Sequence, residues 1–198
     1  MNSTRQVFDE ASVHGRFQPF HNEHLEYLKL GKARCDFLWI GLAMFDIVTQ
    51  TKAGDIDDHR TAKAANPFTY FERVKMITDS LAHEGVATTE FGFIPFPIDD
   101  VELLPQFLPV TIPCLTTICE PWNREKISRL EMAGYQVEVL LERKPKEISG
   151  ARIRELIANQ DEAWFSLVPA ATVSVVNSRI SAVGTLDEKE ELGDFRVE

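Results

Sequence analysis

Gly15-Arg16-Phe17-Gln18-Pro19-Phe20-His21-Asn22-Glu23-His24 has the composition of a strand end, a tight turn and a helix start. Gly15 and Pro19 punctuate the turn. From Asn22 onward, Leu25 and Leu28 recur at helical spacing, and Gly31 closes a short helix. His21 and His24 are three apart and share one helical face, with Arg16 just upstream. Donors and cations at a helix N-terminus suit an anion such as phosphate. Imidazoles there can donate to phosphate oxygens and offset charge that builds on a bridging oxygen. Seen alone, the pair reads first as two surface histidines beside a cap. As a metal pair it lacks an obvious third ligand.

Upstream, Ala11-Ser12-Val13-His14 is a short strand candidate after a polar lead-in over 1–10. Downstream, Phe37–Ala43 is a continuous apolar run, which suits a parallel strand covered on both faces. Residues 44–66 are long, polar and charged, a functional or mobile segment. Thr69 and Glu72 have capping-box spacing, and Val74, Ile77 and Leu81 continue a helix that Gly85 ends. Phe91–Phe96 is a third strand, and Pro95 with the following Pro97 puts its end at an edge or at the mouth of a site. Residues 97–113 hold Pro97, Pro105, Pro109 and Pro113 and read as an ordered loop with a helical turn.

Leu115–Cys119 is a strand, Asn123–Ala133 a helix stopped by Gly134, and Val137–Leu141 a fifth strand. Helices follow over Ser149–Asn159 and Pro169–Ile180, and the acidic tail 185–198 is expected to be loose. This alternation defines an α/β fold: a doubly wound, Rossmann-like, five-stranded, mostly parallel sheet with helices on both faces. It makes 1–198 a single domain with its core over about 11–180. The ligand crevice of such a sheet lies at the carboxyl ends of the strands, where the strand order reverses, and Gly15–His24 belongs there.

Composition narrows the partners. A chain of 198 residues with 44% hydrophobic and 26% charged residues is ordinary for a globular protein. Its net charge of -10 repels a nucleic-acid backbone, so a protein that handles phosphates must gather its cations locally. Arg16, Arg73, Arg152 and Arg154 are the candidates. Cys35, Cys114 and Cys119 match no metal spacing and read as reduced thiols of a cytoplasmic protein. No apolar run has the length of a signal-peptide core near the N-terminus or of a membrane span.

Two further constellations bear on chemistry. Ser149-Gly150-Ala151-Arg152-Ile153-Arg154 opens a helix with exposed N–H groups; at most one of the two arginines, two apart, reaches inward. Its plain reading is an N-cap serine on a solvated helix. In Asn66-Pro67-Phe68-Thr69-x-x-Glu72-Arg73, the Thr69–Glu72 pair is a structural cap, but Arg73 opposes the helix dipole unless an anion meets it. Lys144 and Lys146 could approach a triphosphate or form a solvated turn, and Trp122-Asn123 a ring site or a cap. Asp99-Asp100 could carry magnesium but reads first as an exposed turn. Phe17, Phe20, Phe68 and Phe71 are core candidates.

Gly-Arg-Phe-Gln-Pro-Phe-His-x-x-His, Asn-Pro-Phe-Thr-x-x-Glu-Arg and Ser-Gly-x-x-Ile-Arg, in that order, resemble the motifs of the nucleotidylyltransferase superfamily with the HxGH signature. The look is nearest to the archaeal-type nicotinamide-nucleotide adenylyltransferases and their bacterial relatives. The resemblance implies transfer of the AMP part of ATP to a phosphorylated small molecule, nicotinamide mononucleotide first, with magnesium and release of pyrophosphate. A cytidylyltransferase acting on a phosphorylated alcohol and a nucleotide-binding member without turnover are the alternatives.

By the same resemblance His21, His24 and Arg154 are catalytic, and Gly15, Arg16, Phe17, Arg73, Ser149 and Gly150 bind the nucleotide. Some relatives form homo-oligomers, and no stretch here marks an interface. The chain departs from the pattern at Glu23, where the signature has glycine, and at Ala151, where threonine is usual. It also lacks, over 94–110, the asparagine and tryptophan that hold nicotinamide.

Overall fold

The computed structural model describes residues 7–46, 63–119, 122–142 and 148–193. In chain order the main elements are β1 (Phe8–Gly15), α1 (Asn22–Lys32), β2 (Cys35–Leu42), α2 (Tyr70–His83), β3 (Phe91–Pro95), β4 (Cys114–Ile118), α3 (Trp122–Met132), β5 (Val137–Glu142), α4 (Gly150–Ala158) and α5 (Ala170–Gly193). Short 3-10 turns lie at Lys63–Ala65, Val101–Gln106 and Glu162–Leu167. The five strands are all parallel, in the order β3-β2-β1-β4-β5. The winding direction therefore reverses between β1 and β4, which puts the crevice there.

That junction is thin. β1 and β2 pair along their whole length, from Phe8↔Cys35 to Gly15↔Leu42, whereas β1 and β4 share the single pair Ser12↔Cys114. Beyond it the Tyr27 hydroxyl of α1 stands between the strands: it accepts from the His14 amide (3.2 Å) and donates to the Leu115 carbonyl (2.6 Å). The phenol thus takes the place of ladder bonds and satisfies both backbone groups.

Two apolar layers form the core. One gathers Val13, Leu28, Leu38, Met76, Leu81 and Ile153 from β1, α1, β2, α2 and α4. The other gathers Phe96, Ile98, Leu104, Leu108, Leu130 and Tyr135 beside α3. The proline-rich segment belongs to the second layer, where the Tyr135 hydroxyl donates to the Leu108 carbonyl (2.6 Å). Its order, expected from the prolines, thus has a physical anchor.

Thr69 and Glu72 form the expected capping box at α2, with the Thr69 amide on Glu72 Oε2 at 2.7 Å and the Glu72 amide on Thr69 Oγ1 at 3.2 Å. Glu72 also receives Arg179 of α5 at 2.8 Å. Burial raises the Glu72 carboxyl, but hydrogen bonds from the Thr69 amide and the Arg179 guanidinium outweigh it and leave the pKa below the ordinary value.

Three details differ from expectation. β1 starts at Phe8, three residues early, because the Phe8 amide finds the Arg34 carbonyl (2.8 Å). α5 runs to Gly193 rather than ending at Ile180, so most of the acidic tail is helical; residues 186–192 are mostly Leu, Glu and Lys, which favour helix without an apolar stripe. Phe71 is 73% exposed and is no part of the core, whereas Phe17, Phe20 and Phe68 are buried. Most of the 44–66 segment and the Lys144-Pro145-Lys146 turn lie outside the described residues.

Candidate active site

A cleft of about 1070 Å³ opens at the carboxyl ends of the strands, over the β1/β4 junction. His21, His24, Arg16, Ser149, Gly150 and Arg154 all line it, so the first and third sequence motifs meet there. It has two ends. One lies between the N-termini of α1 and α4, and the other lies against α3.

At the first end His21 is the N-cap of α1 and His24 its third residue. Their rings stack with centroids 3.5 Å apart and 21° between planes. The His21 amide donates to His24 Nδ1 at 3.4 Å. With Nδ1 acting as acceptor, a neutral His24 carries its proton on Nε2. Phe17 supports the pair from beneath, edge-on to His24 at 4.9 Å. It does so from a left-handed backbone (φ 53°), and its ring folds back so closely that a Cβ on Gly15 would lie 2.9 Å from it. Gly15 is therefore dictated by the turn, and Phe17 acts as a support for the histidines.

Gln18, which the motif reading did not single out, ties the three motifs together. Its side-chain amide pairs with the Phe68 backbone in both directions, Nε2 to the carbonyl at 2.8 Å and Oε1 from the amide at 2.9 Å. Its own carbonyl accepts from Arg154 Nη1 at 2.5 Å. A Cβ on Gly150 would sit 2.5 Å from that same carbonyl, so only glycine lets α4 begin this close to the first motif. No pattern of spacing announces a glutamine that bonds 50 and 136 positions away.

Arg73 occupies a different place from the one expected of a phosphate ligand. It is fully buried and does not line the cleft. Its guanidinium donates to the carbonyls of Arg16 (2.9 Å), Ala43 (2.7 Å), Met44 (2.9 Å) and Thr69 (3.3 Å). The charge that opposes the α2 dipole is met by these carbonyl oxygens. Burial lowers its pKa to about 10, so it stays charged at neutral pH. It acts on the cleft by fixing the walls after β1 and β2. Of the two arginines of the third motif, Arg152 pairs outward with Glu155 (2.8 Å) while Arg154 enters the cleft, as their spacing requires. Ser149 is the N-cap of α4 and accepts from the Arg152 amide at 3.2 Å.

Glu23 turns its carboxylate toward the leader of α4, where Oε1 accepts from the Ile148 amide at 3.3 Å. It thereby bridges the first and third motifs and lines the cleft. At the α3 end, Asn123 receives the Cys119 amide (3.0 Å) and Lys126 is buried under Trp122. Arg129 faces Asp99 across 3.5 Å. Asp99 is therefore paired and exposed, as an ordinary turn would be. Among the described residues no three His, Cys, Asp or Glu side chains gather as a metal site. No helix among the described residues is long and apolar enough to cross a membrane.

No protein-family model matches the chain. Individual relatives do. The phosphonoformate cytidylyltransferase of Streptomyces viridochromogenes is 35% identical over 174 residues, 88% of this chain and 94% of that protein. The nicotinamide-nucleotide adenylyltransferase of Methanococcus aeolicus is 30% identical over 178 residues, 84% of this chain and 87% of that one. That of Thermoplasma acidophilum is 32% identical over 188 residues, 90% and 93% of the two chains. The crystal structure of a bifunctional NMN adenylyltransferase/ADP ribose pyrophosphatase from Francisella tularensis superposes with a TM-score of 0.56 at 14% identity, over 92% of this chain and 57% of that one. The last likeness concerns the fold. With the relatives above, the two motifs that meet in the cleft place the chain in the nucleotidylyltransferase superfamily.

Proposed function

We propose that this protein transfers CMP from CTP to a small acid that carries a phosphate or phosphonate group, releasing pyrophosphate. The observation that supports it best is the convergence of the stacked His21–His24 pair with the N-terminus of α4 and Arg154 on one cleft. An acceptor oxygen would attack the α-phosphorus, the bond to the β-phosphate bridging oxygen would break, and pyrophosphate would leave. The attacking group is already an anion, so no general base is needed; alignment and charge stabilisation suffice. His24 Nε2–H and the α1 and α4 N-termini supply donors for the growing negative charge, and Arg16 and Arg154 supply cations. Magnesium bound with the triphosphate would neutralise part of its charge.

CTP is favoured as donor by the relative at 35% identity, a cytidylyltransferase. A second reading, ATP with nicotinamide mononucleotide, is favoured by the adenylyltransferase relatives at 27–32%. Pyrophosphate release separates the two when each nucleoside triphosphate is offered with phosphonoformate, nicotinamide mononucleotide and small phosphomonoesters. The expected result is a kcat/KM for CTP at least about tenfold above that for ATP, a discrimination of about 1.4 kcal/mol. Preference for ATP with nicotinamide mononucleotide would move the assignment to the second reading. No pyrophosphate from any pair would sink the transferase reading.

Glu23 gives a further test. A carboxylate about 6 Å from a polyphosphate at an effective dielectric of about 40 opposes it by roughly 1.4 kcal/mol. Glu23→Gln retains the oxygen that meets the Ile148 amide and removes the charge. Calorimetric titration with CTP at low salt should show binding tightened by about threefold to tenfold. Unchanged affinity would mean that the carboxylate does not face the phosphates.

A further inference from the structure

His14 ends the buried part of β1, and its imidazole sits where the strand order reverses. Only 4% of the residue is exposed, yet neither Nδ1 nor Nε2 has a hydrogen-bond partner. One face of the ring lies flat on Phe96, with centroids 4.2 Å apart and 1° between planes. Stacking satisfies the face and leaves the polar edge unserved. Burying two ring nitrogens without partners costs free energy that phenylalanine in the same place would not incur. The residue lines the cleft, so a ligand there can reach it.

The position of His14 says which ligand. The triphosphate groups named above cluster where Gly150 and Arg154 abut the Gln18 carbonyl. His14 lies on the other side of the sheet, next to the second apolar layer through Phe96 and within the field of Lys126 on α3. We infer that His14 holds the acceptor substrate, its ring N–H donating to a compact oxyanion that Lys126 neutralises. The inference rests on the transferase reading above and adds the residue that selects the acceptor. Burial first, and the Lys126 charge second, keep the imidazole well below its ordinary pKa, so it is a neutral, directional donor beside a cationic one. A carboxylate or phosphonate of few atoms suits this pair, since it offers several lone pairs in a small volume.

His14→Phe keeps the stack on Phe96 and removes both nitrogens; His14→Gln keeps a donor. With CTP and phosphonoformate as the substrates, His14→Phe should raise the KM for phosphonoformate at least about tenfold and leave the KM for CTP within about twofold, while its melting temperature equals or exceeds that of the parent. His14→Gln should recover part of the acceptor KM. Independently of turnover, the His14 ring resonances of histidine-15N-labelled protein should shift on saturation with phosphonoformate and not with CTP alone. This second readout tells the two ideas apart: absence of turnover in the parent would defeat the transferase reading, while the His14 shift still reports acceptor binding. An acceptor KM within twofold of the parent in His14→Phe, or His14 resonances unmoved by saturating phosphonoformate, would overturn the inference.

Discussion

His24→Ala is expected to lower kcat/KM for nucleotidyl transfer by about 10²–10³-fold while leaving the fold intact, since removing one donor aimed at developing charge costs about 2.7–4 kcal/mol. The expectation follows from local geometry. His24 Nδ1 accepts from the His21 amide, which orients the ring and puts the proton of a neutral imidazole on Nε2. The ring is half-buried and held by Phe17 on its edge and His21 on its face. Alanine removes the donor, and the helix keeps its other bonds. Steady-state pyrophosphate release and a thermal melt measured on the same preparation check both halves. Turnover within a fewfold of the parent would remove His24 from the chemistry.

Arg73→Met should do the opposite: it should damage stability first. Four carbonyl oxygens, on Arg16, Ala43, Met44 and Thr69, would lose their donor together in a buried setting. Removing one side of a buried charged network costs about 3–5 kcal/mol. Arg73→Lys should rescue little, because one ammonium cannot span carbonyls on three separate segments as a planar fork does. A shift of the urea midpoint to much lower concentration at unchanged slope is the expected readout. A phosphate ligand would behave differently, with normal stability and a raised KM for the triphosphate. A wild-type midpoint in Arg73→Met would show that the guanidinium does not hold these walls.

These two residues illustrate what a sequence exposes and what it hides. The apolar run at Phe37–Ala43, the Thr69–Glu72 box and the helix stop at Gly134 are local signals, read over a few residues, and the structure has them as expected. The alternation of elements was enough for the parallel sheet and for the end at which the cleft opens. Arg73 shows the limit: its position after a cap pointed to an anion, and the oxygens that meet it come from residues 29 to 57 positions away as well as from Thr69. Gln18 and His14 left no periodic trace, because their importance is set by what other strands and helices bring beside them. The long α5 was missed for the reverse reason: helix-forming residues without an apolar stripe look like a tail.

The Tyr27 hydroxyl between β1 and β4 gives the molecule a mechanical property. It works as a shim, setting the spacing of the two strands at the point where the cleft begins. The shim is carried by α1, whose first turn bears His21 and His24. One helix therefore both presents the histidine pair and gauges the gap beside His14. The two ends of the cleft are therefore tied to the same helix, the histidine pair at its start and the strand gap through Tyr27.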